Sequence, residues 1–120
     1  MGFCPCDDLE GEAWAALLGL ARFPQVYVKA SAFFRVSKEP PPYPDAAAAL
    51  RRLLDVFGAQ RCMWGTDAPW VNEQCGYSAA WGLLEAWGNV RDDEVGWLMG
   101  GTVDALFDGA WSKHSNNVLV

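Results

Sequence analysis

Arg61-Cys62-Met63-Trp64-Gly65-Thr66-Asp67-Ala68-Pro69-Trp70 sets an apolar run directly against a glycine, a hydroxyl, a carboxylate and a proline. Cys62, Met63 and Trp64 do not alternate with polar residues, which suits a strand covered on both faces, as in parallel sheets hidden by their crossover helices. Gly65 admits the close approach of another backbone or a ligand. Side-chain alternation groups Met63, Gly65 and Asp67 on one face and Cys62, Trp64 and Thr66 on the other. Asp67 then stands just past the C-terminal end of the strand, where α/β folds bind ligands, and Pro69 stops the strand from running on. Asp before Ala-Pro is also good turn chemistry, so the local residues admit both a turn and a site.

Upstream, residues 45–57 carry Leu50, Leu53, Leu54 and Phe57 at helical spacing, with Pro44 at the start and Gly58 as the stop. Before them, residues 25–31 (Gln-Val-Tyr-Val-Lys-Ala-Ser) read as a strand with Val26, Val28 and Ala30 on one face and Tyr27, Lys29 and Ser31 on the other. A polar face with Lys29 fits an edge strand looking at solvent as well as one looking into a site. Strand, loop, helix and strand make a βαβ unit, which predicts that 26–30 and 62–64 are parallel. The intervening residues 33–43, with Pro40-Pro41-Pro42, read as an irregular connector at the C-terminal end of the first strand. Arg35 and Tyr43 are candidate substrate contacts there, since loops at that end build barrel active sites.

On the flanks, Trp14, Leu17, Leu18 and Ala21 predict a helix over 8–22 that Pro24 ends. After a loop at 71–77, a helix with Ser78 as N-cap carries Trp81, Leu84 and Trp87 and ends at Gly88. A further helix over 92–99 and a short one over 103–107 are separated by Gly100-Gly101-Thr102.

The 120 residues suffice for one modest domain with a rich core, being 52% hydrophobic and 20% charged. Nine basic and 15 acidic residues give a net charge of −6, which argues against nucleic acid and anionic membranes as partners. Apolar stretches fall short of a membrane span and no basic-then-apolar leader opens the sequence, so a soluble, cytoplasmic protein is expected. Cys4, Cys6, Cys62 and Cys75 include no Cys-x-x-Cys pair, which favours free thiols over disulfides or a structural zinc site. Alkylation is expected to reach Cys4, Cys6 and Cys75 before a buried Cys62. The single histidine, His114, falls in a polar tail, residues 112–120.

The stretch from Cys62 to Trp70 resembles the last barrel strand of the amidohydrolase superfamily, in its amidohydrolase-related branch, whose pattern is an apolar run, then Gly, Ser or Thr, Asp, a variable residue and Pro. Val26-Tyr27-Val28-Lys29-Ala30-Ser31-Ala32-Phe33-Phe34-Arg35 resembles the seventh strand of the same branch. Glu94 through Phe107 resembles its closing segment, an apolar helix, a glycine step and a helix ending in Leu-Phe. The resemblance implies an α/β fold that is the C-terminal fragment of a (β/α)8 TIM barrel, with residues 1–111 in the barrel domain and 112–120 as tail. It implies Asp67 as catalytic general base, and as a metal ligand only in a complete barrel. Lys29 and Ser31 then look toward the substrate, and with Arg35 and Thr66 they form the expected substrate-binding set. Some members of the branch use a divalent ion such as zinc and some lactonases work without one, while the histidine-bearing strands of the family have no counterpart here. Met1-Gly2 stands where an internal Met-Gly pair would, so the chain is expected to be a truncation, a gene-model fragment or one piece of a split protein.

Two functions follow as expectations. One is hydrolysis of a lactone, amide or related carboxylated small-molecule substrate by Asp67-assisted water attack in the complete barrel. The other is a non-catalytic assembly or regulatory module, because two strands leave open edges that invite a complementary barrel half or a second copy. A cysteine-based redox or zinc module is the weakest reading because the spacing is poor.

Overall fold

The computed structural model describes residues 4–107. Two strands, β1 (Val28–Ala30) and β2 (Cys62–Trp64), pair in parallel, with Val28 opposite Cys62, Lys29 opposite Met63 and Ala30 opposite Trp64. The helices are α1 (Glu12–Gly19), α2 (Phe33–Val36), α3 (Pro44–Phe57), α4 (Tyr77–Trp87), α5 (Asp92–Gly96) and α6 (Thr102–Leu106). The chain between the strands is mainly α3, as the alanine-rich crossover demands.

Alternation divides the small sheet into two unlike faces. Val28, Ala30 and Cys62 are buried against the helices, whereas Lys29 is exposed on the opposite face. On the buried side α3 contributes Ala46, Ala49, Leu50, Leu53, Leu54 and Phe57, an apolar stripe at 3.6-residue spacing. Pro44 occupies its first turn, where a missing N–H costs nothing, and Gly58 ends it at φ 79, a conformation that favours glycine. Wholly buried Trp14 anchors α1 by donating its indole N–H to the Pro5 carbonyl at 2.7 Å. Phe33 stacks on Trp64 at 5.0 Å and meets Trp87 edge-on at 5.1 Å, tying the loop after β1 to β2 and α4.

α5 is held by charge. The Glu94 side chain is only 4% exposed and accepts two bonds from Arg51 of α3, at 2.7 and 2.8 Å, and a 2.8 Å contact from Arg91. These hydrogen bonds and the adjoining cations hold its carboxyl well down, at about 2, against the opposing effect of burial. A wide π turn (Trp97–Gly101) leads into α6, where buried Thr102 donates its hydroxyl to the Ala59 carbonyl at 2.8 Å.

Several local expectations change. Residues 8–11 form a turn, closed by Gly11 N–H to Asp8 carbonyl at 3.1 Å, so α1 begins at Glu12. The Asp8 carboxylate lies 2.2 Å from where a Cβ on Gly11 would stand, so a side chain there would push the exposed Asp8 carboxylate aside. The connector at 33–43 contains α2, because Ala32 at φ 57 turns the chain and lets Phe33 and Val36 reach the core. Gly76, not Ser78, precedes α4, and Trp81 points outward at 42% exposed while Ala80, Leu83 and Leu84 are buried. A 3₁₀ turn (Trp70–Glu73) interrupts the loop after β2. Tyr43, expected as a substrate contact, is 5% exposed, and burial beside the Cys75 thiol pushes its phenol up to about 12.

Among the described cysteines, Cys62 is buried and its thiol is pushed up to about 11 by burial. Cys6 is buried as well, which overturns its expected ease of alkylation, and burial with the charges of Asp45 and Asp7 pushes it up to about 12. His114 and the tail 112–120 lie outside the described residues.

Candidate active site

The C-terminal ends of β1 and β2 point the same way because the strands are parallel, so the segments that follow them meet on one side. β2 ends at Trp64, and Gly65 still donates its N–H to the Ala30 carbonyl at 3.0 Å. A Cβ on Gly65 would stand 3.1 Å from Ser31 Cβ and 3.4 Å from Lys29 Cε. Glycine is therefore what lets Lys29 and Ser31 lie across the second strand on the face away from the helices. Asp67 does not continue the strand alternation. It adopts the left-handed conformation, φ 63, which aspartate tolerates better than most residues, and this turn sets its direction.

Arg35, on the single turn of α2, donates from Nε to Asp67 Oδ2 at 3.2 Å. Their side chains are 40% and 27% exposed, so the pair is open to solvent at the mouth of the strands. The Arg35 guanidinium lies over the Phe34 ring, 5.3 Å from its centroid. An open cleft runs beside it, lined by Phe34, Arg35, Trp70, Glu73 and Gln74. Thr66 lies elsewhere, on a narrow gap shared with Phe33, Tyr43, Trp64, Val71 and Cys75. Lys29 and Ser31 thus gather against Gly65, Arg35 and Asp67 pair with each other, and Thr66 turns toward the aromatic layer. Phe34, Trp70, Glu73 and Gln74 were not singled out from sequence. The signal was present in Trp70, a large apolar residue directly after Asp-Ala-Pro and 57% exposed.

The family model described as Amidohydrolase matches residues 1–108. The chain belongs to the amidohydrolase family. It is 36% identical over 87 residues to the L-fucono-1,5-lactonase of Burkholderia ambifaria, covering 69% of this chain and 29% of that protein. It is 34% identical over 65 residues to the 4-sulfomuconolactone hydrolase of Hydrogenophaga intermedia, covering 54% of this chain and 21% of the relative. Among solved structures, a candidate 2-pyrone-4,6-dicarboxylic acid hydrolase from Pseudomonas putida superposes with TM-score 0.73 at 30% identity over 85% of this chain and 38% of its own. A zinc-bound amidohydrolase from Burkholderia multivorans gives TM-score 0.58 at 28% identity, covering 76% of this chain and 34% of that one. The chain thus spans less than a third of the length of these curated relatives. Its two parallel strands and flanking helices are part of an amidohydrolase (β/α)8 barrel.

The zinc of that neighbour raises the question of what this amidohydrolase segment offers a metal. Among the described residues no group of three or more His, Cys, Asp or Glu side chains converges. Asp67 is one carboxylate facing an arginine, so the described residues do not fit a metal by themselves. Also among them, no helix is long and apolar enough to cross a membrane.

Proposed function

We propose that this segment carries the general base and part of the substrate-binding wall of a lactone hydrolase acting on carboxylated substrates, completed by the rest of a barrel. The observation that carries the reading is the meeting of Asp67 and Arg35 at the C-terminal end of parallel strands, 3.2 Å apart. Asp67 takes a proton from the attacking water as the water oxygen bonds to the ester carbonyl carbon, and returns that proton to the alcohol oxygen as the ring C–O bond breaks, giving a hydroxy acid. Arg35 offers a cation to a substrate carboxylate. Lys29, whose stem crosses Gly65, and Ser31 supply a positive charge and a hydroxyl to the same substrate. The names of the relatives, a lactonase and a muconolactone hydrolase, favour lactones over amides.

The test grafts residues 26–107 in place of the matching part of a complete homologous barrel and assays a lactone panel. Asp67→Asn keeps the size but removes the proton acceptor, and kcat should fall by roughly 10²-fold or more. Lys29→Met should raise KM more than it lowers kcat, since a carboxylate contact exists in ground and transition states alike. A near-parental kcat for the Asp67→Asn graft returns Asp67 to its role as a turn residue.

A second reading, association through the open barrel half, is favoured by a two-stranded sheet whose outer edges carry no further strand among the described residues. Trp70, Tyr77, Trp81, Leu106 and Phe107 are each at least 39% exposed and add apolar surface to it.

A further inference from the structure

We propose that Arg35 is an exchange partner, held by Asp67 in the unliganded site and transferred to the carboxylate of a planar ring substrate that enters the cleft between Phe34 and Trp70. The inference rests on the reading of Asp67 as base and adds a link between substrate binding and the release of that base.

Four features support it. The bond to Asp67 runs from Nε to one oxygen at 3.2 Å, longer than the roughly 2.7–2.9 Å of a strong charge-assisted bond. Both partners are open to solvent, at 40% and 27% exposure, so the pair is weak and a competing carboxylate can displace it. The guanidinium rests on Phe34, a flat support on which it can turn without losing its apolar contact. An open cleft adjoins the guanidinium, so an incoming carboxylate can reach it from solvent. Phe34 and Trp70 line it and supply aromatic surface for a flat substrate, while Glu73 also lines it and repels a carboxylate. That repulsion orients the substrate with its anionic end on Arg35.

A carboxylated lactone would then occupy Arg35 and leave the Asp67 carboxylate facing the substrate rather than its own cation. An uncharged lactone of the same shape has nothing with which to draw Arg35 away. Arg35 thereby becomes a positioning residue that selects for charge.

Binding to the chain itself tests the exchange without catalysis. The probe is 2-pyrone-6-carboxylate at low ionic strength, with uncharged 2-pyrone as control, read from the Arg35 Nε–H and Trp70 indole resonances of the labelled chain. The carboxylate should shift both signals saturably, and 2-pyrone should leave Arg35 unmoved. Arg35→Gln should weaken carboxylate binding about tenfold, and Arg35→Lys, which keeps the charge, should weaken it less. Asp67→Asn should tighten it about two- to fivefold, the worth of an exposed ion pair, because the internal competitor is gone. In the Arg35→Gln background the same change should have no effect. An unchanged or weaker affinity in Asp67→Asn, or a tightening that persists without Arg35, overturns the exchange. The base reading is judged separately by kcat in the grafted barrel, so either idea can fail while the other stands.

Discussion

At the scale of single residues, the chain uses glycine and left-handed backbone where side chains must come close. Gly65 is the clearest case. Adding one methyl there meets Ser31 Cβ at 3.1 Å and the stem of Lys29 at 3.4 Å, so Gly65→Ala should lower stability by about 1 kcal/mol in chemical denaturation. Gly65→Val should cost more and displace Lys29 outright. The thiols give a second prediction. Cys6 and Cys62, with their thiols pushed up to about 12 and about 11, should resist iodoacetamide at pH 8, while half-buried Cys4 and Cys75 react first. Mass spectrometry of the native chain over time reads this order. Fast labelling of Cys6 would show that its loop opens readily.

Among elements, the joint between α3 and α5 depends on one carboxylate. Glu94 is nearly inaccessible and bonded by Arg51 and Arg91, so losing it leaves Arg51 partly buried without a counter-charge. Glu94→Gln should cost about 3 kcal/mol, measured as a lower denaturant midpoint with unchanged slope. The acid dependence has a definite sign. The folded carboxyl, at about 2, lies below its unfolded value near 4.3, so its contribution is full above pH about 4.3 and is lost as pH falls toward 2. The wild-type midpoint should therefore drop through that window, and Glu94→Gln should flatten this part of the profile. An equally steep fall in the variant would assign the acid sensitivity to other carboxylates.

For the molecule as a whole, a two-stranded sheet is too small to hide its own faces, and Lys29 marks the side that the helices leave uncovered. The chain covers 38% of the Pseudomonas putida structure, and on the proposed reading one base with part of a wall cannot position both water and lactone. Purified chain should accordingly show no lactone turnover. It should also self-associate as concentration rises, through the open strand edges and exposed tryptophans, in sedimentation velocity runs. A strictly monomeric chain at high concentration would remove the support for association through the open half.

Periodicity and breakers were enough for the architecture. The stripe from Ala46 to Phe57, bounded by Pro44 and Gly58, and the apolar run at Cys62 to Trp64 gave the crossover helix and the second strand, and the parallel pairing followed from the length between them; the expected cover on both faces of that strand is absent among the described residues, where Cys62 is buried and Met63 and Trp64 are half-buried. The place of Lys29 on the open face and of Asp67 just past the second strand was likewise legible, because face and end follow from position along a strand, whereas the direction of Asp67 was set by its left-handed turn. The start of α1, the turn of α2 and the burial of Tyr43 and Cys6 were not legible, since each is decided by contacts with residues distant in sequence. The same holds for the pairing of Arg35 with Asp67. The two are 32 positions apart, and only the parallel register, the left-handed turns at Ala32 and Asp67, and the ring of Phe34 beneath the guanidinium bring them together. Local sequence specifies which segments bury and where chains must turn, whereas the partner of a charged side chain at the mouth of a barrel is a property of the folded arrangement.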